Sequence, residues 1–142
     1  MAPIQPSPVL DVAVQFAKTL GMPTAVIDGT GDLIYFNPPA ERMIGRAFAD
    51  VGELPISTWV DTFDPESLDG KPLSLPELPP GVALIEGRPA QGSVRMCGLD
   101  GVEHLVAVTA LPLFEDVDLV GVLIVFWETM ADPDMTPPPD PT

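Results

Sequence analysis

The chain has 142 residues, enough for one domain with one core, and 46% of them are hydrophobic. Its formal net charge of −15 repels phosphate backbones and anionic lipid headgroups, which argues against direct binding of nucleic acid or of a membrane surface. No apolar stretch approaches the roughly 20 residues that cross a bilayer, and the amino terminus lacks a basic region before an apolar run, so we predict a cytoplasmic protein.

Both ends of the chain are rich in proline and offer few apolar side chains for burial. Residues 1–7 and the acidic residues 131–142 are therefore predicted to be flexible or disordered. Between them, residues 8–21 are predicted to form a flanking helical segment, and residues 22–130 are predicted to form the folded domain.

The flanking segment contains an amphipathic helix over residues 8–20. Ser7 is suited to cap its start, and Gly21 is suited to end it in a left-handed conformation. A helical spacing places one apolar face on Val9, Val12, Ala13, Phe16, Ala17 and Leu20. Such a face has to dock against another apolar surface.

Strands and short helices follow in a fixed order. The runs "PTAVID" and "LIYFN" predict two strands joined by a turn that contains two glycines. The phrase "PPAERMIG" predicts a short helix, residues 46–80 predict short helical turns among loops, and another helix is predicted over about residues 80–86. Three strands close the domain, "QGSVRMC", "VEHLVAVTALPLF" and "LVGVLIVFWE". This order predicts an α+β fold with an antiparallel sheet and helices gathered on one side.

The last strand is apolar on both faces, since Val122 and Ile124 alternate with Leu123 and Val125. An antiparallel sheet with one wet face would alternate apolar and polar residues instead. We therefore predict that short helices cover one face, and that helix 8–20 and a second copy of the protein cover the other. The candidates for a homodimer interface are Val9, Val12, Phe16, Leu20, Leu105, Leu111, Leu123, Val125 and Trp127.

Several phrases occur in the order in which PAS sensor domains carry them. They are "DGTGDLIYFN" before a helix, "DGKPLSLPELPPGVALIEGRPAQGSVRM", and the final pair "ALPLF" and "LVGVLIVFWE". Over about residues 22–130 the chain resembles that family. The resemblance implies a five-stranded antiparallel sheet with short helices on one face, the amphipathic helix on the other, and dimers. It also implies that the Asn37 amide ties the second strand to the helix after it.

The end of the chain departs from the pattern of family members that relay signals. Those members finish with Asp-x-Thr before a coiled coil, whereas here "WETM" is followed by a proline-rich tail without heptads. We therefore expect no attached kinase, phosphatase or cyclase. The sequence is then either a fragment of a longer protein or a stand-alone module.

The resemblance implies a sensory or regulatory module without catalysis, which binds a small hydrophobic ligand or a signalling protein partner. One of Arg42, Arg46, Arg88 and Arg95 would meet a ligand carboxylate, with surface ion pairing as the simpler interpretation. The pocket between sheet and short helices has the candidate lining residues Ile34, Phe36, Met43, Ile44, Trp59, Phe63, Leu84, Val94, Met96, Val108 and Ile124.

Haem, flavin and metal are not expected. Haem-binding members with a proximal histidine carry it on the helix before the third strand, which has none here, and His104 is predicted to be a partly exposed strand residue. Light-sensing members carry an Asn-Cys-Arg phrase that this sequence lacks, and Cys97 is predicted to be inert in a strand. One histidine and one cysteine do not supply a tetrahedral metal site.

Two other functions stay open. A small cone-shaped α+β enzyme of the isomerase type would use Asp61 or Asp64 as a base, beside Trp59 and Phe63, with Tyr35 as a proton donor. A pure dimerisation adaptor would have a filled core in place of a ligand pocket.

Overall fold

A five-stranded antiparallel sheet forms the centre of this computed structural model, which describes residues 7–129. The strand order is β2-β1-β5-β4-β3, so the first and last strands of the chain are neighbours in the middle of the sheet. The predicted fold class is confirmed, whereas the predictions for residues 1–6 and 131–142 concern segments outside the described range. The strands are β1 (Thr24–Asp28), β2 (Leu33–Phe36), β3 (Ala90–Cys97), β4 (Glu103–Glu115) and β5 (Asp118–Glu128).

Helices cover both faces of the sheet, and the sequence marks where several of them begin or end. Ser7 caps the first helix, because its side chain accepts a hydrogen bond from the Leu10 N–H at 3.1 Å. Gly45 and Gly87 end two later helices with positive φ angles of 89° and 69°. The helices are α1 (Pro8–Thr19), α2 (Pro38–Ile44), α3 (Phe48–Val51), α4 (Ile56–Phe63) and α5 (Pro79–Glu86), with a 3-10 turn at Leu75–Glu77.

The side chain of Asn37 joins α1, β1 and α2. Its Oδ1 accepts hydrogen bonds from the N–H groups of Thr24 at 3.0 Å and Ala40 at 3.1 Å, and the second bond caps α2. Its Nδ2 donates to the carbonyls of Ala17 and Met22, at 2.9 and 3.0 Å. Asn37 is fully buried, so these bonds take the place of water. The amide therefore has the structural role that the resemblance implies.

The end of α1 differs from the prediction. The helix ends at Thr19, Leu20 is extended with φ −78° and ψ 141°, and Gly21 does not take a positive φ. The Asn37 side-chain amide donates a hydrogen bond to the carbonyl of Ala17, in the last turn of α1. This bond satisfies a helix-end carbonyl, for which a left-handed glycine was expected to provide.

The sheet separates two clusters of apolar side chains. We call the face that packs against α2 to α5 the inner face, and its residues Ile27, Phe36, Val106 and Val122 are fully buried. The opposite, outer face carries a smaller cluster, in which α1 packs on Val26 and Leu123, with Ile34, Tyr35 and Leu113 beside them.

The helix α1 docks on the outer face through its small residues. Ala13 and Ala17 are buried against the sheet, whereas Val12 and Phe16 are 66% and 50% exposed. Of the predicted apolar face, Ala13 and Ala17 dock as expected, whereas the helix is rotated so that Val12 and Phe16 lie outside the contact. Gly121 of β5 shows the reason, because a Cβ there would lie 2.6 Å from Leu10 Cδ2. Small residues allow this close approach of helix and sheet, and the larger side chains remain outside.

Candidate functional site

A cavity of about 90 Å³ lies between the inner face and the helices α4 and α5. Several predicted pocket residues line it, namely Ile44, Trp59, Phe63, Val94, Met96, Val108 and Ile124. Those of β3, β4 and β5 do so because alternate strand residues point to the inner face, and the others lie on α2 and α4.

Other predicted pocket residues lie elsewhere. Phe36 and Met43 are buried in the inner core, and Leu84 packs against that core while partly exposed, but none of the three lines the cavity. Ile34 belongs to the outer cluster. The reason is a bulge in the β1–β2 pair, where Tyr35 pairs with Val26 and Leu33 with Ile27, so that strict alternation fails at Ile34.

Sequence reasoning missed part of the lining. Pro79 and Pro80 open α5 and are buried there, because the start of this helix points into the core. Prolines at a helix start indicate the entry of the helix and not what it packs against, so the phrase "LPELPP" gave no signal for a place in the lining. The remaining missed lining residues are Ala25, Ile27, Leu33, Pro65, Leu78 and Phe126.

The cavity wall is apolar throughout. Among the side chains that line it, Trp59 has the only nitrogen or oxygen atom, and its indole N–H donates to the Gly31 carbonyl at 2.8 Å. The four arginines that were considered for a ligand carboxylate do not line the cavity. A charged ligand would therefore find no partner here, which favours an apolar one.

The volume of the cavity limits the size of a ligand. An engineered apolar cavity of about 150 Å³ binds benzene, and pockets for drug-sized ligands span about 300–1,000 Å³. A volume of about 90 Å³ suits an apolar molecule smaller than benzene. Neither haem nor a flavin fits the cavity, in size or in the chemistry of its wall.

His104, at the start of β4, does not line the cavity, although its register partner Met96 does. The side chain of His104 is only 11% exposed, so it is more buried than predicted, and its Nδ1 is 2.7 Å from Glu128 Oε2. Val106 pairs with Glu128, and this register brings the carboxylate next to the imidazole. The Nε2 atom of His104 is buried without a hydrogen-bond partner among residues 7–129. Cys97 is half-buried at the end of β3.

The residues of the enzyme alternative do not come together. Asp61 on α4 and Asp64 at its end are both exposed, and neither lines the cavity. Tyr35 lies in the outer cluster, where its ring meets Phe48 edge-on at 5.5 Å. A base and a proton donor on opposite faces of a sheet cannot act on one substrate.

The outer face is only partly covered by α1. Leu123 is buried beneath the helix, and Val9, Leu20, Leu105 and Val125 are half-buried. Four further candidates for the dimer interface are more exposed, namely Val12 at 66%, Phe16 at 50%, Trp127 at 40% and Leu111 at 39%.

No three His, Cys, Asp or Glu side chains within residues 7–129 form a group that could hold a metal ion. The helices of the same range include none that is both long and apolar enough to cross a membrane.

Comparison with solved structures identifies the fold. The PAS domain of the fruit-fly ELK potassium channel is similar with a TM-score of 0.67 and 12% identity, over 88% of this chain and 100% of that chain. The Rhodobacter sphaeroides LOV protein is similar with a TM-score of 0.64 and 14% identity, over 86% of this chain and 68% of that one. The PAS domain of nitrogen regulation protein NR(II) from Vibrio parahaemolyticus is similar with a TM-score of 0.58 and 15% identity, over 82% of this chain and 96% of that one.

The sequence itself has no match, since no protein-family model and no curated protein matches it. At identities of 12–15%, the structural similarity establishes the fold and leaves ligand and partner to be inferred from the chain's own residues. The chain has the PAS fold, which confirms the resemblance in its sequence.

Proposed function

We propose that this chain is a sensory or regulatory module without catalytic activity, which binds a small apolar molecule in the inner cavity and responds through its outer face. The observation that carries the proposal is the apolar cavity, which lies directly behind strands whose other face is incompletely covered. Similarity to PAS domains in fold supports it as an analogy.

The strand β5 links the cavity to the outer face. Ile124 and Phe126 line the cavity, and the residues between and beside them, Leu123, Val125 and Trp127, point outward. Leu123 is also the residue on which α1 packs. A ligand that displaces Ile124 therefore moves the backbone that carries the docking surface of α1.

A second copy of the chain is the cover that we propose for the outer face. Complete burial of a large apolar side chain contributes about 1.5–3 kcal/mol. Val12, Phe16, Leu111 and Trp127 are exposed by 39–66% in one chain, so a homodimer through them and α1 has a source of free energy. Two copies at −15 each repel one another, and the dimer should therefore strengthen as salt screens the charge.

A pure dimerisation adaptor is the second candidate function, and the small volume of the cavity favours it. At about 90 Å³ the space is larger than one water molecule and smaller than most ligand pockets. The two candidates differ in whether the cavity takes up a molecule and whether the outer face responds.

Xenon is the probe that separates them, because it enters small apolar cavities. Methyl NMR of the full chain under xenon pressure should show saturable shifts at Ile27, Val108 and Ile124, and smaller shifts at Leu123. Ala25→Val fills part of the cavity and should reduce all of them, whereas Val117→Ala in the exposed β4–β5 turn should reduce none. Shifts at the lining methyls without any at Leu123 would favour the adaptor, and no shift at all would exclude the ligand site.

A further inference from the structure

The strand β3 forms one edge of the sheet, and within residues 7–129 part of its backbone has no strand partner on that side. The N–H and C=O of Arg95 exchange hydrogen bonds with Glu66, both of 2.8 Å, so they point away from β4. Alternate residues of an antiparallel strand direct these groups to the same side. The backbone groups of Gln91 and Ser93 therefore also point to the open edge, and both residues are exposed, as is Gly92 between them.

The opposite edge of the sheet, β2, is only 4 residues long and carries a bridge to the chain itself. Leu33 and Leu54 exchange backbone hydrogen bonds of 2.8 and 3.0 Å along this edge. Phe48 packs edge-on against Tyr35 and Phe36 at 5.5 and 5.1 Å. Proteins usually cover or block a sheet edge, because a free one is a template for another strand. The two edges of the sheet thus differ, because β3 is the longer edge strand and part of it remains open to another strand.

Two features set the limits of the open edge. Beyond Glu66, the chain turns away, since the Gly70 N–H donates to the Ser67 carbonyl at 2.9 Å. At the other end, Pro89 has no N–H and cannot continue a hydrogen-bonded ladder. The space between these limits suits a peptide that pairs with Gln91 and Ser93.

A groove of about 410 Å³ adjoins the Pro89 end of this edge. Val82, Thr109 and Arg88 contribute to its wall, and Arg88 is the charged residue there. Arg88 Nε is 2.8 Å from Glu86 Oε1, with side chains 61% and 51% exposed, and such an exposed pair is readily exchanged for another carboxylate. The groove therefore offers a guanidinium to an anionic group, with the apolar surface of Val82 beside it.

The Glu66 bridge also indicates a direction. Glu66 pairs with Arg95 in antiparallel orientation. A peptide that continues this line along β3 runs from Ser93 towards Gln91, so its carboxyl end reaches the groove at Arg88.

We propose that the open edge of β3 binds the carboxyl-terminal end of an extended peptide from a partner protein. Gln91 and Ser93 pair with the peptide backbone, and Arg88 binds the terminal carboxylate through paired N–H groups. This site is separate from the cavity, and its groove borders the outer face at Thr109, which pairs with Val125. The peptide contacts themselves involve neither the ligand nor a second copy.

Peptide selection on the full chain tests this proposal. One display library presents short random peptides with a free carboxyl terminus, and a second library has the same random segment followed by a Gly-Ser tail. Enrichment is expected from the first library alone. Ser93→Pro removes the outward N–H but no hydrogen bond to β4, and Ser93→Ala is its matched control. A selected peptide should bind Ser93→Pro about ten-fold more weakly than Ser93→Ala.

The carboxylate is tested by an independent pair of changes. Amidation of the selected peptide should weaken binding to the wild type about ten-fold and should have little effect on binding to Arg88→Gln. If circular dichroism shows that Ser93→Pro is unfolded, the effect of amidation on wild type and on Arg88→Gln tests the proposed peptide site without that variant. No enrichment, equal enrichment from both libraries, or equal effects of amidation on wild type and Arg88→Gln would overturn the proposal.

Discussion

The two faces of the sheet carry the same kind of side chain but have different surroundings. Val106 and Val122 on the inner face are fully buried beneath the helices that follow β2. On the outer face, Leu123 is buried under α1, whereas Trp127 of the same strand is 40% exposed. The difference arises because α1, with 12 residues, covers only part of its face. An apolar pattern on both sides of a strand indicates that both faces need a cover, and residues 7–129 do not supply all of it.

The largest expected difference in stability is between the loss of an aromatic ring on the inner face and the loss of one on the outer face. Phe36→Ala should lower the free energy of unfolding by about 3–5 kcal/mol, because it removes a fully buried ring. Trp127→Ala should cost less than half as much, since much of its ring already contacts water. Urea unfolding, measured at protein concentrations where the chain is monomeric, gives both values. Equal losses would contradict the difference between the faces.

The next largest loss of stability is expected at Asn37, whose side chain joins α1 on the outer face to β1 and α2. Asn37→Ala removes the cap of α2 and leaves the buried Thr24 N–H without its partner. The carbonyls of Ala17 and Met22 each lose one hydrogen bond and keep another, from the Leu20 N–H and the Thr24 hydroxyl. We expect a loss of about 2–4 kcal/mol, from a cap and at least one unsatisfied buried group. Asn37→Ser retains a capping oxygen and should lose less. The account of this junction would be wrong if both variants unfolded at the urea concentration of the wild type.

The docking of α1 on the outer face is tested at Gly121. A Cβ at this position would overlap the Ile27 carbonyl oxygen of β1 and would lie 2.6 Å from Leu10 Cδ2 of α1. Gly121→Ala should therefore cost about 1–3 kcal/mol by overpacking. Faster amide hydrogen exchange in α1 should accompany this loss.

Gly92→Ala is the matched control on β3, where the nearest contact of a new Cβ, Pro79 Cγ, is at 3.5 Å. We expect it to stay within about 0.5 kcal/mol of the wild type. Equal effects of the two substitutions would show that neither β1 nor α1 approaches Gly121 closely, and an unchanged amide exchange in α1 would show that the loss arises in the sheet alone.

The sequence predicted the fold well because its signals are local. Proline, asparagine and glycine mark helix ends, and apolar runs mark strands, so the element order followed from short segments. The cavity was predicted in part, since alternation places Val94 and Val108 on the inner face. The misplacement of Ile34 arose from a bulge that depends on the pairing of two strands. The rotation of α1 likewise depends on Gly121, which lies far from it in sequence.

The smallest expected effect is a pH dependence at Tyr35, in the outer cluster. Burial of the ring, and then the charge of Glu41, raise the pKa of Tyr35 above its ordinary value. The folded state therefore holds the phenolic proton more tightly than the unfolded state. Stability should be complete below a pH of about 10 and should fall slightly as the pH rises through the raised pKa.

Phenolate absorbance, titrated in the folded protein and in urea, measures the two pKa values of Tyr35. Tyr35→Phe should remove this part of the pH dependence of unfolding, and Glu41→Gln should reduce the shift. Equal pKa values of Tyr35 in the folded protein and in urea would show that the outer cluster does not bury the Tyr35 hydroxyl from water.

Light scattering over a series of protein and salt concentrations tests most directly the central claim that a second copy completes the outer face. The account predicts twice the mass of one chain for the wild type, with tighter association at higher salt. It also predicts a single-chain mass for the double variant Phe16→Ser and Trp127→Ser, and an unchanged dimer for the control Val117→Ser. A wild type with the mass of one chain at every protein and salt concentration would contradict it.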